Sequence, residues 1–122
     1  MRRKLNTHAI GDRYETLAFE YLKAKGYRFV ARNVRNKCGE IDGIFKDGQT
    51  YVFVEVKFRR DSSYGNPLDY IDYNKRRRIS RASSLYFKYR GLGMDTPCRF
   101  DCIGITGDGR LRHIQNAFYY TP

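Results

Sequence analysis

Apolar side chains recur at helical spacing near the start of the chain. Across residues 9–25 they fall three and four positions apart, which predicts an amphipathic helix with one buried stripe. Gly26 then stands where a left-handed C-terminal cap would end that helix. Residues 1–8 are basic and lack the apolar run of a signal peptide, so we expect a flexible arm there, followed by a single domain over residues 9–122. The stripe consists of Ile10, Tyr14, Leu17, Ala18, Tyr21 and Leu22.

Alternating apolar and polar residues next predict three strands, at residues 27–35, 40–45 and 51–58. Asp47-Gly48 is a strong hairpin signal between the second and the third. The third strand is the most β-prone run of the chain, because it is rich in Val and aromatic residues. We therefore predict an antiparallel meander of three strands after the first helix.

A second helix is predicted to begin at Asn66-Pro67, since Asn is a favoured N-cap and Pro is favoured at the first helical position. Two further strands, at residues 99–106 and 111–115, complete the order α-β-β-β-α-β-β. This order predicts an α/β fold with a mixed sheet flanked by helices, and the long helix permits a parallel crossover. The core stripe of the second helix is broken only at Lys75 and consists of Leu68, Ile71, Lys75, Ile79, Ala82, Tyr86 and Tyr89.

The net charge of the chain indicates which classes of partner such a domain would bind. The chain carries 24 Lys and Arg against 13 Asp and Glu, a net charge of +11. Such an excess is typical of proteins that bind nucleic acid or an acidic membrane surface, although it can also serve solubility alone. The basic helix shows no broad apolar face, and no stretch approaches the ~20 apolar residues of a membrane span, so membrane binding is disfavoured. Three cysteines without paired spacing predict a reducing, cytoplasmic location.

The second helix concentrates this charge, with five cations within seven residues. A solvated basic face is one interpretation. A ridge that contacts phosphates is the other, and the net charge favours it. The loop before the helix adds two more arginines. The predicted nucleic-acid contacts are Arg59, Arg60, Lys75, Arg76, Arg77, Arg78 and Arg81.

Acidic and basic side chains project from the central hairpin. Successive side chains of a strand alternate between its faces, so Glu55 and Lys57 share a face about 7 Å apart. On the preceding strand Glu40 and Asp42 share a face. If the polar faces of the two strands coincide, Asp42, Glu55 and Lys57 converge. The apolar residues predicted to lie opposite the two acids are Ile41 and Phe45.

This convergence has two interpretations. Clustered carboxylates are costly unless a cation compensates them, and Mg²⁺ prefers oxygen ligands, so Asp42 and Glu55 are natural ligands, with the carbonyl of Val56 as a further candidate. A bound metal polarises a phosphate and acidifies water, which Lys57 could hold or activate. Alternatively, Glu55 and Lys57 merely pair across a solvated sheet face, where such pairs contribute little.

Motifs along most of the chain resemble a known nuclease family. Residues 11–118 contain, in order, GDRYETLA, YLKAKGY, ARNVR, GEIDGI, FVEVKFR, KRRRISRAS and RFD. An acid on one strand followed by Glu55-x-Lys57 on the next is similar to the PD-(D/E)xK nuclease superfamily, and the motifs together resemble the bacterial YraN family of predicted endonucleases. Gly43 stands where that family usually has an apolar residue, and Ile41 replaces the superfamily's proline. Neither change removes a catalytic group.

The resemblance implies a role for each matching residue. It implies Asp42 and Glu55 as ligands of Mg²⁺ or Mn²⁺ and Lys57 as the catalytic lysine. Glu15 would be the first-helix acid that also serves the metal site in related Holliday-junction resolvase-like nucleases. Support of the site is expected from Glu40 and Lys75.

The fold and activity implied are a restriction-endonuclease-like domain and a metal-dependent endonuclease that cuts DNA, with branched or damaged DNA as a candidate substrate. The alternative is a non-catalytic basic module that binds DNA or RNA, in which the acids only organise the fold. One 14.4 kDa domain offers a limited footprint, so a homodimer or a partner protein is compatible with either function.

Overall fold

A mixed β-sheet between two helices organises the computed structural model, which describes residues 7–60, 69 and 71–122, with only the backbone for residues 7–10. The elements are α1 Thr7–Ala24, β1 Arg28–Asn36, β2 Gly39–Asp47, β3 Thr50–Arg59, α2 Tyr73–Tyr89, β4 Cys98–Thr106 and β5 Leu111–Phe118. The five strands lie in sequence order, and every neighbouring pair is antiparallel except β3 and β4. The predicted α/β class, element order and mixed sheet are confirmed.

The two helices cover opposite faces of the sheet. Val52 and Val54 of β3 pack in one apolar cluster with residues of α1, whereas Phe53 packs in another with residues of α2. The ring of Phe53 lies 5.4 Å from that of Phe87 in α2. Because side chains alternate along a strand, β3 contributes to both cores. No helix in the described part of the chain is long and apolar enough to cross a membrane.

Glycine caps end both helices in the same way. Gly26 follows α1 with a φ of 97°, and the N–H of Tyr27 donates to the carbonyl of Leu22 at 3.0 Å. Gly91, with a φ of 70°, occupies the same position after α2. These positive φ values are accessible to glycine without steric cost, so the cap predicted at Gly26 is confirmed.

Helix α2 begins later than the sequence predicts. Its first residue is Tyr73, and its N-cap is Asp72, whose φ and ψ of −74° and 177° are extended. The Asp72 carboxylate accepts the N–H of Lys75 at 2.8 Å. A helix running from Asn66-Pro67 through an extended Asp72 is impossible, so the predicted start is wrong; Asn66 and Pro67 themselves lie outside the described residues. Asn and Asp are about equally favourable N-caps, so local preference does not distinguish position 66 from position 72.

The predicted buried stripes contain two errors. Leu17 is 51% exposed, and Phe19, which the stripe omitted, is buried instead. In α2 the last helical residue, Tyr89, is 67% exposed, because Phe87 takes the place against the sheet.

Two elements extend beyond their predicted bounds. Helix α1 includes residues 7 and 8, which were predicted to belong to the flexible arm. Strand β5 continues to Phe118, past Asn116, whose φ of 51° interrupts the regular pattern.

Strand β2 changes face near Asp42. Ile41 packs in the cluster under α2, whereas Phe45 packs in the cluster under α1. The prediction that these two residues share a face is therefore wrong. Opposite Asp42 in the β1–β2 ladder stands Asn33, between the pairs Arg32–Gly43 and Val34–Ile41, and its φ is 53°. This left-handed residue breaks the strict alternation from which the prediction was made.

Gly43 allows α1 to approach the sheet. A Cβ atom at this position would lie 2.6 Å from Cε1 and 2.7 Å from Cζ of Phe19. The Phe19 ring is held from two sides, by Phe45 at 5.3 Å between centroids and by the Arg32 guanidinium at 4.9 Å. An apolar side chain at position 43 is therefore incompatible with this packing.

We expect Gly43→Ala to lower the free energy of unfolding by about 1–3 kcal/mol, because the added methyl overpacks a held ring. Urea unfolding measures this. Gly11→Ala is the matched control: no atom lies within 4 Å of the added Cβ, and Ala in a helix should stabilise by about 0.5–1 kcal/mol. The cost of Gly43→Ala should shrink in a Phe19→Leu background. An equal cost in both backgrounds would contradict the assigned clash.

Candidate active site

The site forms where β2 and β3 separate. Their ladder runs from the pair Asp47–Thr50 to the pair Gly43–Val54. Beyond it, Oδ2 of Asp42 accepts the backbone N–H of Val56 at 2.8 Å. A side-chain carboxylate thus takes the place of a strand carbonyl, and the main chain of β3 holds Asp42 in the gap.

Glu55 is the buried acid of this site. It is 4% exposed, which is unusual for a carboxylate. It lies on the face of β3 that α2 covers, and its Oε2 contacts Nζ of Lys75 at 2.8 Å. The Lys75 side chain is 33% exposed, so its ammonium reaches inward from a stem that still meets solvent.

The carboxylates of Asp42 and Glu55 repel each other electrostatically. Burial and the negative charge of Glu55 raise the pKa of Asp42 well above its usual value, and Glu15 adds to this while the Val56 N–H opposes it. For Lys75, burial disfavours the charged form, but Glu55 and then Asp42 outweigh burial and raise the pKa of this ammonium. The site therefore favours the presence of a cation.

Glu15 of α1 lies on the other side of the gap. Its Oε1 contacts Nη2 of Arg32 at 3.3 Å, and its side chain is 17% exposed. Burial raises the pKa of Glu15, with Arg32 opposing the shift and the charge of Glu40 adding to it. Glu40 itself is more exposed and binds Arg35 through Nη2 at 2.6 Å and Nε at 3.1 Å. Of these two acids, Glu15 is close enough for its charge to contribute to the raised pKa of Asp42.

Lys57 follows Glu55 by two residues on the same face of β3 and is partly exposed. Among the described residues its ammonium forms no ion pair. Cys102, which is paired with Glu55 in the β3–β4 ladder, is buried. Burial, with the charge of Glu55 adding to it and that of Lys57 opposing it, raises the pKa of Cys102 to about 12. This thiol stays protonated at neutral pH, so it is a poor metal ligand.

The donors fit a hard divalent cation of the magnesium type. Within the described ranges, no group of three or more His, Cys, Asp or Glu residues is placed to hold a metal ion. Mg²⁺, however, is commonly held by one or two carboxylates, with water and substrate phosphate completing its shell. Asp42 and Glu55 are such a pair, and Lys75 is the cation that now neutralises Glu55.

Sequence reasoning identified only in part the cations that contact the acids. Lys75 was expected near the edge of the site, but the sequence did not identify Glu55 as its partner. Arg32, the partner of Glu15, was not singled out at all. The signal for Lys75 was its place as the one charged residue on an apolar stripe.

The cations of α2 do not form one common surface. Lys75 turns towards Glu55, and Arg76 donates to the carbonyl of Ile71 at 2.8 Å and stacks over the ring of Phe118. Arg77 donates through Nε to the carbonyl of Pro122 at 2.9 Å. A cavity is lined by Lys37 of the β1–β2 turn together with Arg77, Arg78 and Arg81. Two further residues were predicted to contact nucleic acid. Arg59 is the last residue of β3, and Arg60 follows it.

Asp101 is a buried carboxylate outside this site, and it serves the fold. It accepts hydrogen bonds from Nε of Arg99 at 3.1 Å, Nε2 of His113 at 2.8 Å and the N–H of Asn116 at 3.0 Å. Burial alone would raise the pKa of Asp101, but these donors outweigh it and lower the pKa below its usual value. His113 is thus part of this hydrogen-bond network, and its ring also contacts Tyr21 through Nδ1 at 3.2 Å.

Comparison with known proteins identifies the family. The model of the Uncharacterised protein family UPF0102 matches residues 14–105. The chain belongs to the UPF0102 family. It is 48% identical to a UPF0102 protein of Symbiobacterium thermophilum over 114 residues, 90% of this chain and 96% of the relative. It is 43% identical to one of Serratia proteamaculans over 93% of this chain and 97% of the relative. The UPF0102 protein YraN of Escherichia fergusonii is 39% identical over 95% and 88%.

We expect Asp101→Asn to lower the free energy of unfolding at neutral pH by about 3–5 kcal/mol, because Arg99 and His113 lose a buried anion. The native pKa of Asp101 is lowered, so its stabilising contribution is complete above the unfolded value of about 3.9 and is lost as the pH falls through the native pKa.

The gap between wild type and Asp101→Asn should therefore close on acidification, as measured by urea unfolding at several pH values. The exposed Asp12→Asn variant should stay within about 0.5 kcal/mol of wild type. A gap that does not narrow in acid would contradict the assigned hydrogen bonds.

Proposed function

We propose that this UPF0102 chain is a metal-dependent endonuclease that hydrolyses phosphodiester bonds of DNA at the Asp42–Glu55–Lys57 site. The observation that carries the proposal is the pair of adjacent acids at the gap between β2 and β3, one of them 4% exposed. Placing a half-buried carboxylate next to a buried one is costly, and strongly perturbed acids of this kind cluster at functional sites. The net charge of +11 supports a polyanionic substrate.

Each residue has a part that its position supports. Asp42 and Glu55 would hold Mg²⁺ or Mn²⁺. The bound ion supplies Lewis acidity towards the phosphate and lowers the pKa of a coordinated water. Lys57 lies on the same face as Glu55 and would orient the attacking water or offset negative charge developing on the phosphate. Glu15 would orient groups from the α1 side of the gap.

Lys75 supports a second candidate function. Its ammonium already neutralises Glu55 at 2.8 Å, so the buried acid is compensated without any metal. On that observation, the chain could be a basic nucleic-acid-binding module whose acids stabilise the fold. Both candidates predict salt-sensitive binding of nucleic acid, and only the first predicts cleavage.

Cleavage is tested with purified protein, Mg²⁺ or Mn²⁺, and linear, branched and single-stranded DNA. We expect cutting of at least one substrate, and a loss of about 10²-fold or more in Glu55→Gln and in Lys57→Met, because each removes a group acting at the phosphate. Lys23→Met, on the exposed side of α1, should retain wild-type activity.

The results of this experiment distinguish the two candidate functions. If folded protein binds DNA but cuts none of the substrates, the non-catalytic module is the better description. If it cuts and Glu55→Gln cuts equally well, the catalytic residues have been placed wrongly.

A variant of Lys75 allows metal binding to be tested independently of activity. Lys75→Met removes the partner of a buried carboxylate, so the free energy of unfolding should fall by about 1.5–3 kcal/mol without metal. Mn²⁺ should then raise the melting temperature of Lys75→Met more than that of wild type, because the ion takes over the compensation of Glu55. Lys23→Met should respond like wild type.

Adding Asp42→Asn to Lys75→Met should abolish the extra stabilisation by Mn²⁺. Equal shifts in melting temperature for wild type, Lys75→Met and the double variant would mean that Asp42 and Glu55 do not bind the ion.

A further inference from the structure

A groove runs along the outer side of α2, beside the β1–β2 turn and the C-terminal residues. It consists of two cavities, of about 280 Å³ and about 570 Å³, which share Cys38 and Arg81 in their walls. The smaller cavity is basic and the larger one is mostly apolar. Because they share a wall, one ligand can reach from the first into the second.

The basic end concentrates positive charge. Lys37, Arg77, Arg78 and Arg81 contribute four cations to its lining, and Asn74 adds an amide; among the residues that the structure describes, no acidic side chain lines it. Arg77 is held in place by its hydrogen bond to the carbonyl of Pro122. A concave site with several guanidinium groups suits a phosphate, whose oxygens match the planar array of N–H donors.

The apolar end offers surfaces for a flat ring. Leu85, Phe87, Leu92 and Met94 contribute to its lining, and Met94 is 87% exposed. Tyr120 also lines this end and is 46% exposed, and its hydroxyl accepts a hydrogen bond from Ser84 Oγ at 2.9 Å. This bond fixes the ring at the mouth of the groove, where an aromatic partner could stack on it.

The basic end lies beside the candidate active site. Arg78 is one helical turn from Lys75, the residue that contacts Glu55. The β1–β2 turn packs closely on the same part of α2, since a Cβ atom at Gly39 would lie 3.4 Å from Cβ of Arg78. A strand of nucleic acid with a phosphate in the basic end would therefore pass within about one helical turn of Lys75.

We propose that the groove binds an unpaired nucleotide of the substrate, with its phosphate in the basic end and its base in the apolar end. A duplex keeps its bases stacked inside, so only DNA with a single-stranded element can fill both ends at once. The inference rests on the proposed function and narrows its substrate class to DNA that carries unpaired nucleotides beside the bond to be cut. An acidic peptide would satisfy the basic end without needing the aromatic wall.

Binding is measured by fluorescence anisotropy in the Glu55→Gln background, so that no probe is cut. The probes are a blunt DNA duplex and the same duplex with a short single-stranded thymidine overhang. We expect the overhang to bind about 5- to 100-fold more tightly, the range that stacking of a base on an aromatic side chain supplies. Tyr120→Ser and Arg81→Gln should each reduce this ratio of dissociation constants towards one.

Matched controls separate the groove from general charge and aromatic content. Tyr119→Ser changes the neighbouring, 83% exposed tyrosine, and Arg28→Gln removes an arginine at the opposite end of β1. Both should keep the preference for the overhang. Met94→Glu places a negative charge in the apolar end at a position too exposed to affect folding, and it should abolish the preference.

The outcomes distinguish this inference from the proposed function. If the protein binds and cuts DNA but shows no preference for the overhang, or if Tyr120→Ser and Met94→Glu both keep it, the groove proposal is wrong and the nuclease stands. If polyglutamate displaces the overhang probe as well as oligothymidylate does, the groove recognises charge alone and the proposal is wrong. If no DNA binds at all, the proposed function itself fails.

Discussion

The buried ion pair between Glu55 and Lys75 is the interaction on which the rest of this structure depends. A carboxylate in the middle of a sheet is tolerated only with a cation beside it. Lys75 supplies that cation from the first turn of α2, so this turn must lie over the centre of β3. Asp72 caps the helix through the N–H of Lys75 itself, which ties the start of α2 to the position of the pair.

The separation of β2 from β3 follows from a second, half-buried acid. Where a regular ladder would continue, Asp42 accepts the N–H of Val56 and stands next to Glu55. Burial and the neighbouring charge of Glu55 raise the pKa of Asp42 at this point of the sheet. Asn33, with its left-handed backbone opposite Asp42, lets the β1–β2 hairpin change face there. The regular β2–β3 ladder thus ends where Asp42 and Glu55 meet.

Charge of the opposite sign surrounds this centre. The acids lie in the gap, whereas Lys37, Arg78 and Arg81 lie along α2 and the adjoining turn, outside it. Such an arrangement attracts a polyanion to the rim while repelling it from the acids unless a cation intervenes. The same domain therefore combines a surface suited to phosphate with a centre suited to a metal, and a single helix, α2, contributes to both.

Local signals in the sequence determined the elements and the candidate acids. Periodicity, the Gly26 cap and the shared face of Glu55 and Lys57 depend on neighbours a few residues apart, so they could be predicted without a fold. The start of α2 could not, because Asn66 and Asp72 are equal caps and only packing selects between them. Tertiary structure alone decided the change of face at Asp42 and the partner of Glu55. Lys75 is twenty residues away in sequence, and its side chain meets Glu55 only because α2 docks across the sheet, a contact that no local periodicity encodes.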